Sequence, residues 1–206
     1  MGYEELATAL WGDAIPDAWE ASLHALVSRI RHGVDRVGTE RVAIRPTGAG
    51  YALDLPAGVF VDRERAWDAI HHVRATLRRG EVAAAWAEAV IAREIAGRGF
   101  LAGESGEWIE AERRLLRGIE VQALEAIADA ELAQGRPAEG ERVARSLIGL
   151  DPLRESGYRL LMRSLAAAGN GAAAASVMAE CRTALAAVGA SPSAETDRVF
   201  RAALRA

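Results

Sequence analysis

Four histidines, one cysteine and 29 acidic side chains are the groups of this 206-residue chain that could ligate a metal or move a proton. Their spacing argues against both. No two of His24, His32, His71 and His72 stand four apart on one helix face, and there is neither an HExxH motif nor a Cys/His cluster. Adjacent His71 and His72 would point about 100° apart on a helix. Gly97, Gly99 and Gly103 resemble a loop that cradles phosphates, but a Walker loop needs a lysine and the chain has none. Glu107, Glu110 and Glu112 with Arg113, Arg114 and Arg117 read as a salt-bridged solvent face. Cys181 stands alone, which excludes an internal disulfide and fits a reducing cytoplasm, and its apolar setting predicts a small buried side chain. The expectation is a protein that is not an enzyme and uses neither cofactor nor metal.

The pattern that remains to be read is an amphipathic helix followed by a hairpin. Trp19, Leu23, Leu26, Val27, Ile30 and Val34 share one arc of a helical wheel, with Asp17 and Glu20 after Pro16 as a capping box. The opposite arc holds Ala21, His24, Ala25, Ser28, Arg29 and His32, flanked by Arg31 and Glu20. Small residues would let another molecule come close, and donors stand on either side, although a plain solvated face has a similar composition. From Arg41 to Arg45 polar and apolar residues alternate, Pro46 to Gly50 turn the chain, and Tyr51, Leu53 and Leu55 alternate again. That is a β-hairpin. Helix, loop, amphipathic helix and hairpin in this order describe the end of a winged helix, whose second helix enters the major groove while the hairpin touches the backbone.

The totals set bounds. All 25 basic residues are arginine and Asn170 is the lone asparagine, the usage of a GC-rich bacterial genome. A net charge of −4 provides no broad basic field. Neither an apolar run of membrane-spanning length nor a signal-peptide pattern is present.

Beyond Pro56-Ala57-Gly58 everything reads helical. Setting Gly135 over Gly169 pairs Leu124 with Tyr158, Ile127 with Leu161, Ala138 with Ala172, Val143 with Val177 and Leu147 with Cys181, all 34 residues apart. This is the period of a tetratricopeptide helix–turn–helix unit. Gly80 precedes Gly135 by one repeat plus an insertion, so Asp62–Arg79 and Glu81–Ala96 form an earlier pair, with Trp67 and Trp86 as its expected core anchors. Small residues after each turn are expected to let paired helices pack closely. Pro152 ends a repeat, and Ser191-Pro192-Ser193 starts a last helix, through Phe200 and Leu204, that suits the open end of the stack. The expected fold is mainly α: residues 1–58 a partial winged helix-turn-helix with a hairpin wing, residues 59–206 a tetratricopeptide-like helical-repeat domain.

Several stretches together resemble the Streptomyces antibiotic regulatory protein (SARP) family of transcriptional activators. They are Leu10-Trp11-Gly12-Asp13, Val27-Ser-Arg-Ile-Arg31, Gly50-Tyr-Ala-Leu53, Trp108-Ile-Glu-Ala-Glu-Arg113, Pro152-Leu-Arg-Glu155, and Cys181-Arg182 with Pro192-Ser-Ala-Glu-Thr196. The resemblance implies an OmpR-type winged helix followed by a bacterial transcriptional activator domain. It places His24, Ser28, Arg29, Arg31 and His32 on the recognition helix and Arg45 and Thr47 in the wing. It also implies direct-repeat promoter DNA and RNA polymerase as partners, with self-association through the activator domain. The chain departs from that pattern in two ways. Met178 stands where relatives usually have tyrosine. The sheet and first helix that usually precede the Leu10-Trp11 segment are missing, which implies reduced cover for Trp19 and Leu23. A shortened chain, a mis-assigned start and a relative that has given up DNA binding all fit. The alternative reading is a repeat scaffold that binds protein partners without touching DNA.

Overall fold

The computed structural model describes residues 1–37 and 42–205, so Arg41, the expected start of the first strand, lies outside the described residues. Two compact units are present: Met1–Val61 with Phe100–Arg113, and Asp62–Gly99 with Arg114–Ala206. Among the described residues no helix is long and apolar enough to cross a membrane.

The first unit begins with α1 (Tyr3–Trp11), which ends where Gly12 takes a left-handed φ of 56°. Helix α2 (Trp19–Val37) starts one residue later than the Asp17–Glu20 pair suggests. It packs on α1 through Leu23 and Val27, both buried, near the buried Ala7. Leu26 and Val34 are half-buried, whereas Ile30 is 53% exposed. The apolar arc is therefore covered at Leu23 and Val27, partly covered at Leu26 and Val34, and open at Ile30. Strands β1 (Ala43–Thr47) and β2 (Gly50–Asp54) pair antiparallel, with Thr47 opposite Gly50, so the turn is Gly48-Ala49 and Pro46 belongs to the strand. A proline is tolerated on such an edge because it need not donate to the ladder.

The chain's first residues line this hairpin. Tyr51 donates its backbone N–H to the Met1 carbonyl (3.1 Å), Tyr3 to that of Ala49 (2.8 Å), and Gly2 bridges Gly50. A Cβ on Gly50 would stand 2.0 Å from the Met1 carbonyl oxygen, so only glycine fits there.

In the Phe100–Arg113 segment, Arg113 does more than line a solvent face. Besides pairing with Glu110, it donates to the carbonyls of Phe100 (3.0 Å), Leu101 (2.6 Å) and Glu104 (3.0 Å), and Phe100 meets Trp108 edge-on. One guanidinium thus satisfies loop carbonyls that no helix or sheet would pair.

The second unit contains α3 (Asp62–Arg78), α4 (Val82–Ala96), the length of α5 (Glu107–Ala133) from Arg114 on, α6 (Pro137–Leu150), α7 (Glu155–Ala167), a 3-10 turn at Gly171–Ala173, α8 (Ala174–Ala186) and α9 (Ala194–Ala203). The three inter-helix glycines, Gly80, Gly135 and Gly169, have φ of 74°, 70° and 74°, the left-handed conformation that ends helices. Of the residues paired by the 34-residue period, Leu124 and Tyr158, Ile127 and Leu161, Val143 and Val177, and Leu147 and Cys181 are all buried.

Ala138 and Ala172 are not in that core. The close approach is made two residues on, by Gly140 and Ala174, and by Ala85 in the earlier pair. A Cβ on Gly140 would stand 2.9 Å from the Ser164 hydroxyl. The same small residues displace the tryptophans. Ala66, Ala69, Ala85, Ala89 and Ala92 bring α3 and α4 together with no hole for an indole, leaving Trp67 46% exposed and Trp86 half-buried. The Trp86 indole instead donates to Glu131 (2.7 Å), a buried carboxylate that also accepts from Arg136. Burial pushes the Glu131 pKa up, and the bonds from Arg136 and Trp86 outweigh it, so the carboxyl sits below its usual range.

Two of the stretches that carry the family resemblance meet at the far end. Glu155 accepts from the Ser193 backbone N–H and hydroxyl (both 2.8 Å), while Arg159 donates to Thr196 (3.1 Å). The Ser193 hydroxyl also caps α9 by accepting from the Thr196 N–H. Together these bonds tie α9 across α7. Leu204, expected within this helix, follows it and is 50% exposed.

Candidate nucleic-acid interface

Helix α2 has 19 residues and so runs for about 28 Å, enough to lie along a major groove. Its outer stripe is continuous: Ala21, His24, Ala25, Ser28, Arg29 and His32 are all exposed. Arg36, seven residues after Arg29, extends that line and is exposed as well. Neither Arg29 nor Arg36 meets a carboxylate among the described residues. Ala21 and Ala25 leave the N-terminal half of the stripe without bulk, which is where a recognition helix approaches bases most closely.

Arg31 has a different place. It is half-buried, its Nε–H donates to the Ile44 carbonyl (2.9 Å), and its guanidinium lies 5.5 Å from the centre of the Tyr51 ring. One side chain thus joins α2 to both strands, by a charge-assisted hydrogen bond and a cation–π contact. His24 belongs partly to the same assembly. Its ring meets Tyr3 and Tyr51 edge-on, at 6.0 and 6.3 Å between centroids, and Tyr3 meets Tyr51 at 5.5 Å. The three rings connect α1, α2 and β2 beneath the exposed stripe.

In the hairpin, Arg45 is exposed and holds Asp54 with two parallel hydrogen bonds across the strands. Arg45's hydrogen bond and charge hold the Asp54 carboxyl below its usual range. A phosphate at this point must compete with that carboxylate. Thr47, exposed beside the turn, has its hydroxyl available.

Ser28, Arg29, His32 and Thr47 are thus free on the surface, whereas Arg31, His24 and Arg45 are engaged within the unit. Arg36 could have been found from the helical period. The roles of Tyr3 and Tyr51 depend on tertiary contacts that no local pattern carries.

Among the described residues no three His, Cys, Asp or Glu side chains could hold a metal ion. His71 stacks against Trp67 and bonds its carbonyl through Nδ1 (2.8 Å). Burial pushes the Cys181 thiol up to about 11, which leaves it protonated and unreactive at neutral pH.

Residues 61–204 match the family model described as the bacterial transcriptional activator domain. The regulatory protein AfsR of Streptomyces coelicolor is 31% identical over 182 residues, which are 88% of this chain and 18% of AfsR. Among solved structures, Mycobacterium tuberculosis EmbR in complex with a low-affinity phosphopeptide superposes with a TM-score of 0.83 at 23% identity, over all of this chain and 55% of that one. The C-terminal TPR-containing domain of a Plasmodium falciparum FK506-binding protein matches 71% of this chain and 92% of its own, with a TM-score of 0.54 at 9% identity. The chain therefore spans about a fifth of its curated relative and about half of EmbR.

Proposed function

This chain belongs to the bacterial transcriptional activator domain family, and on that premise we propose that it is a DNA-binding transcriptional activator. In this reading residues 1–58 are a partial OmpR-type winged helix, with α2 as recognition helix and the hairpin as wing. Residues 59–206 are the repeat domain through which the protein associates with itself and with RNA polymerase. The observation that carries the reading is the free stripe Ser28–Arg29–His32–Arg36 on a helix whose angle to the hairpin is held by Arg31. Arg29 and Arg36 supply the cations that meet phosphates along the groove, and Ser28, His24 and His32 supply hydrogen bonds at its edge. Arg45 and Thr47 meet the adjacent backbone once a phosphate displaces Asp54. Direct repeats in a promoter would suit two copies in tandem. The protein acts in the cytoplasm of a high-GC bacterium, without a cofactor and without catalysing a reaction.

Selection of bound fragments from the host genome by the purified chain tests this. Enrichment of a direct-repeat sequence is the expected result, lost on Arg29→Ala. Uniform recovery of all fragments, or of none, would contradict it. A second reading has its own observation. Ile30, Leu53 and Leu55 are 53%, 59% and 42% exposed in the same unit, which favours a protein-interaction scaffold if no sequence is enriched.

A further inference from the structure

The repeat unit contains a concavity of about 510 Å³ that none of the preceding functions uses. Leu132 of α5, Arg163, Ala166 and Ala167 of α7, and Val199 and Ala202 of α9 line it. Its origin is visible in the repeat. Three residues before the turn glycine the successive units place Leu77, Leu132 and Ala166. The third unit therefore has a methyl group where the first two have an isobutyl group, and α9 answers it with Ala202. The result is a groove with Leu132 and Val199 as apolar walls over an alanine floor.

Charge is sorted around this groove. The acids of α9, Glu195 and Asp197, lie in its first turn beside Arg159 and Arg182. Arg198 stands four residues before Ala202, on its side of the helix, whereas Arg205 follows the helix's end. Neither meets a carboxylate among the described residues; Arg198 reaches only the Ala194 carbonyl, at 3.4 Å. At the opposite wall Arg163 bonds Asp129 (2.6 Å), and both are about half exposed.

We propose that this groove binds a short acidic segment of a protein partner. One bulky apolar side chain of that segment sits among Ala166, Ala167 and Ala202, and its carboxylates meet Arg163 and Arg198. Apolar anchors give such a peptide its hold, and the flanking cations select its charge. The inference does not depend on DNA binding by α2.

The test is a fluorescence-anisotropy titration of the whole chain with short labelled peptides. One alternates Leu and Phe with Glu and Asp, its twin carries Lys and Arg instead, and a third has Ala in place of Leu and Phe. The acidic apolar peptide should bind at least about tenfold more tightly than either control. Ala202→Phe, at an exposed position, should weaken it by about tenfold with the thermal unfolding curve unchanged. Arg198→Glu should reduce the preference for the acidic over the basic peptide. Equal binding of all three peptides, indifference to both variants, or no binding at all would overturn the proposal. So would a dimer, seen by sedimentation, that Ala202→Phe dissociates while no peptide binds, since the occupant would then be a second copy of this chain.

Discussion

The two units bury their apolar residues in opposite ways. In the repeat unit each helix pair meets at a buried small residue, Ala85, Gly140 or Ala174, and the side chains around it close over one another, leaving Leu147, Leu161 and Met162 fully buried. In the helix–hairpin unit Leu10, Ile30, Leu53 and Leu55 are all more than 40% exposed. Beside the small core of Ala7, Leu23 and Val27, that unit is held by a handful of directed contacts: Arg31 to Ile44 and Tyr51, the Tyr3–His24–Tyr51 rings, and the Gly2–Gly50 bridge. A core made of repeated close packing is redundant, and stability is spread through it. A surface held by single polar contacts keeps one helix face clear for a ligand, at the expense of its own apolar cover.

Truncations break this comparison most sharply. Leu147→Ala should destabilise the protein by about 2–5 kcal/mol, the range for a fully buried leucine, while Ile30→Ala should cost less than about 0.5 kcal/mol. Equal losses in denaturant titrations would mean that Ile30 is covered in solution. Gly135→Val comes next. Nothing stands within 4 Å of a Cβ there, so the cost is one of backbone conformation, about 1–2 kcal/mol for a side chain at φ 70°. A melting temperature equal to that of the unchanged protein would show that this turn does not require glycine.

Arg31→Ala should act on the first unit alone. Loss of about 1 kcal/mol at the hairpin corresponds to roughly fivefold faster amide exchange in β2. Exchange in α7 should be unaltered, and acceleration in both units alike would contradict their separate cores. The smallest effect concerns acid. Glu131 is depressed in the folded state, so its contribution is full above the ordinary carboxylate pKa and fades as pH falls through the lowered one. Melting curves between neutral pH and about pH 3 should therefore converge for the unchanged protein and Glu131→Gln, starting from a higher value for the former.

The same contrast explains what could be read from the chain beforehand. The turns at Gly80, Gly135 and Gly169 and the buried positions around them follow from a period, and periods are local. Trp67 misleads because alanines on the facing helix decide whether an indole has room, and helical spacing carries no such information. Arg31 misleads for a related reason. It flanks the outer arc of a helical wheel, but the Ile44 carbonyl that holds it belongs to the hairpin. Arg45 likewise reads as a free wing cation until Asp54 is paired with it across the strands. The outer stripe of α2 was visible from helical spacing, and Arg36 continued it; which of its donors remain free depended on the tertiary contacts.

The central claim is that the free stripe of α2 contacts DNA. Its most direct test is the salt dependence of binding to a fragment from the gene's own promoter region. Arg29→Ala should weaken binding and lower the slope of log affinity against log salt by roughly one, the effect of losing one phosphate contact. Arg145→Ala, which removes a cation paired with Glu141 in the repeat unit, should leave affinity and slope unchanged. An identical response to the two substitutions, or no binding at any salt concentration, would contradict the account.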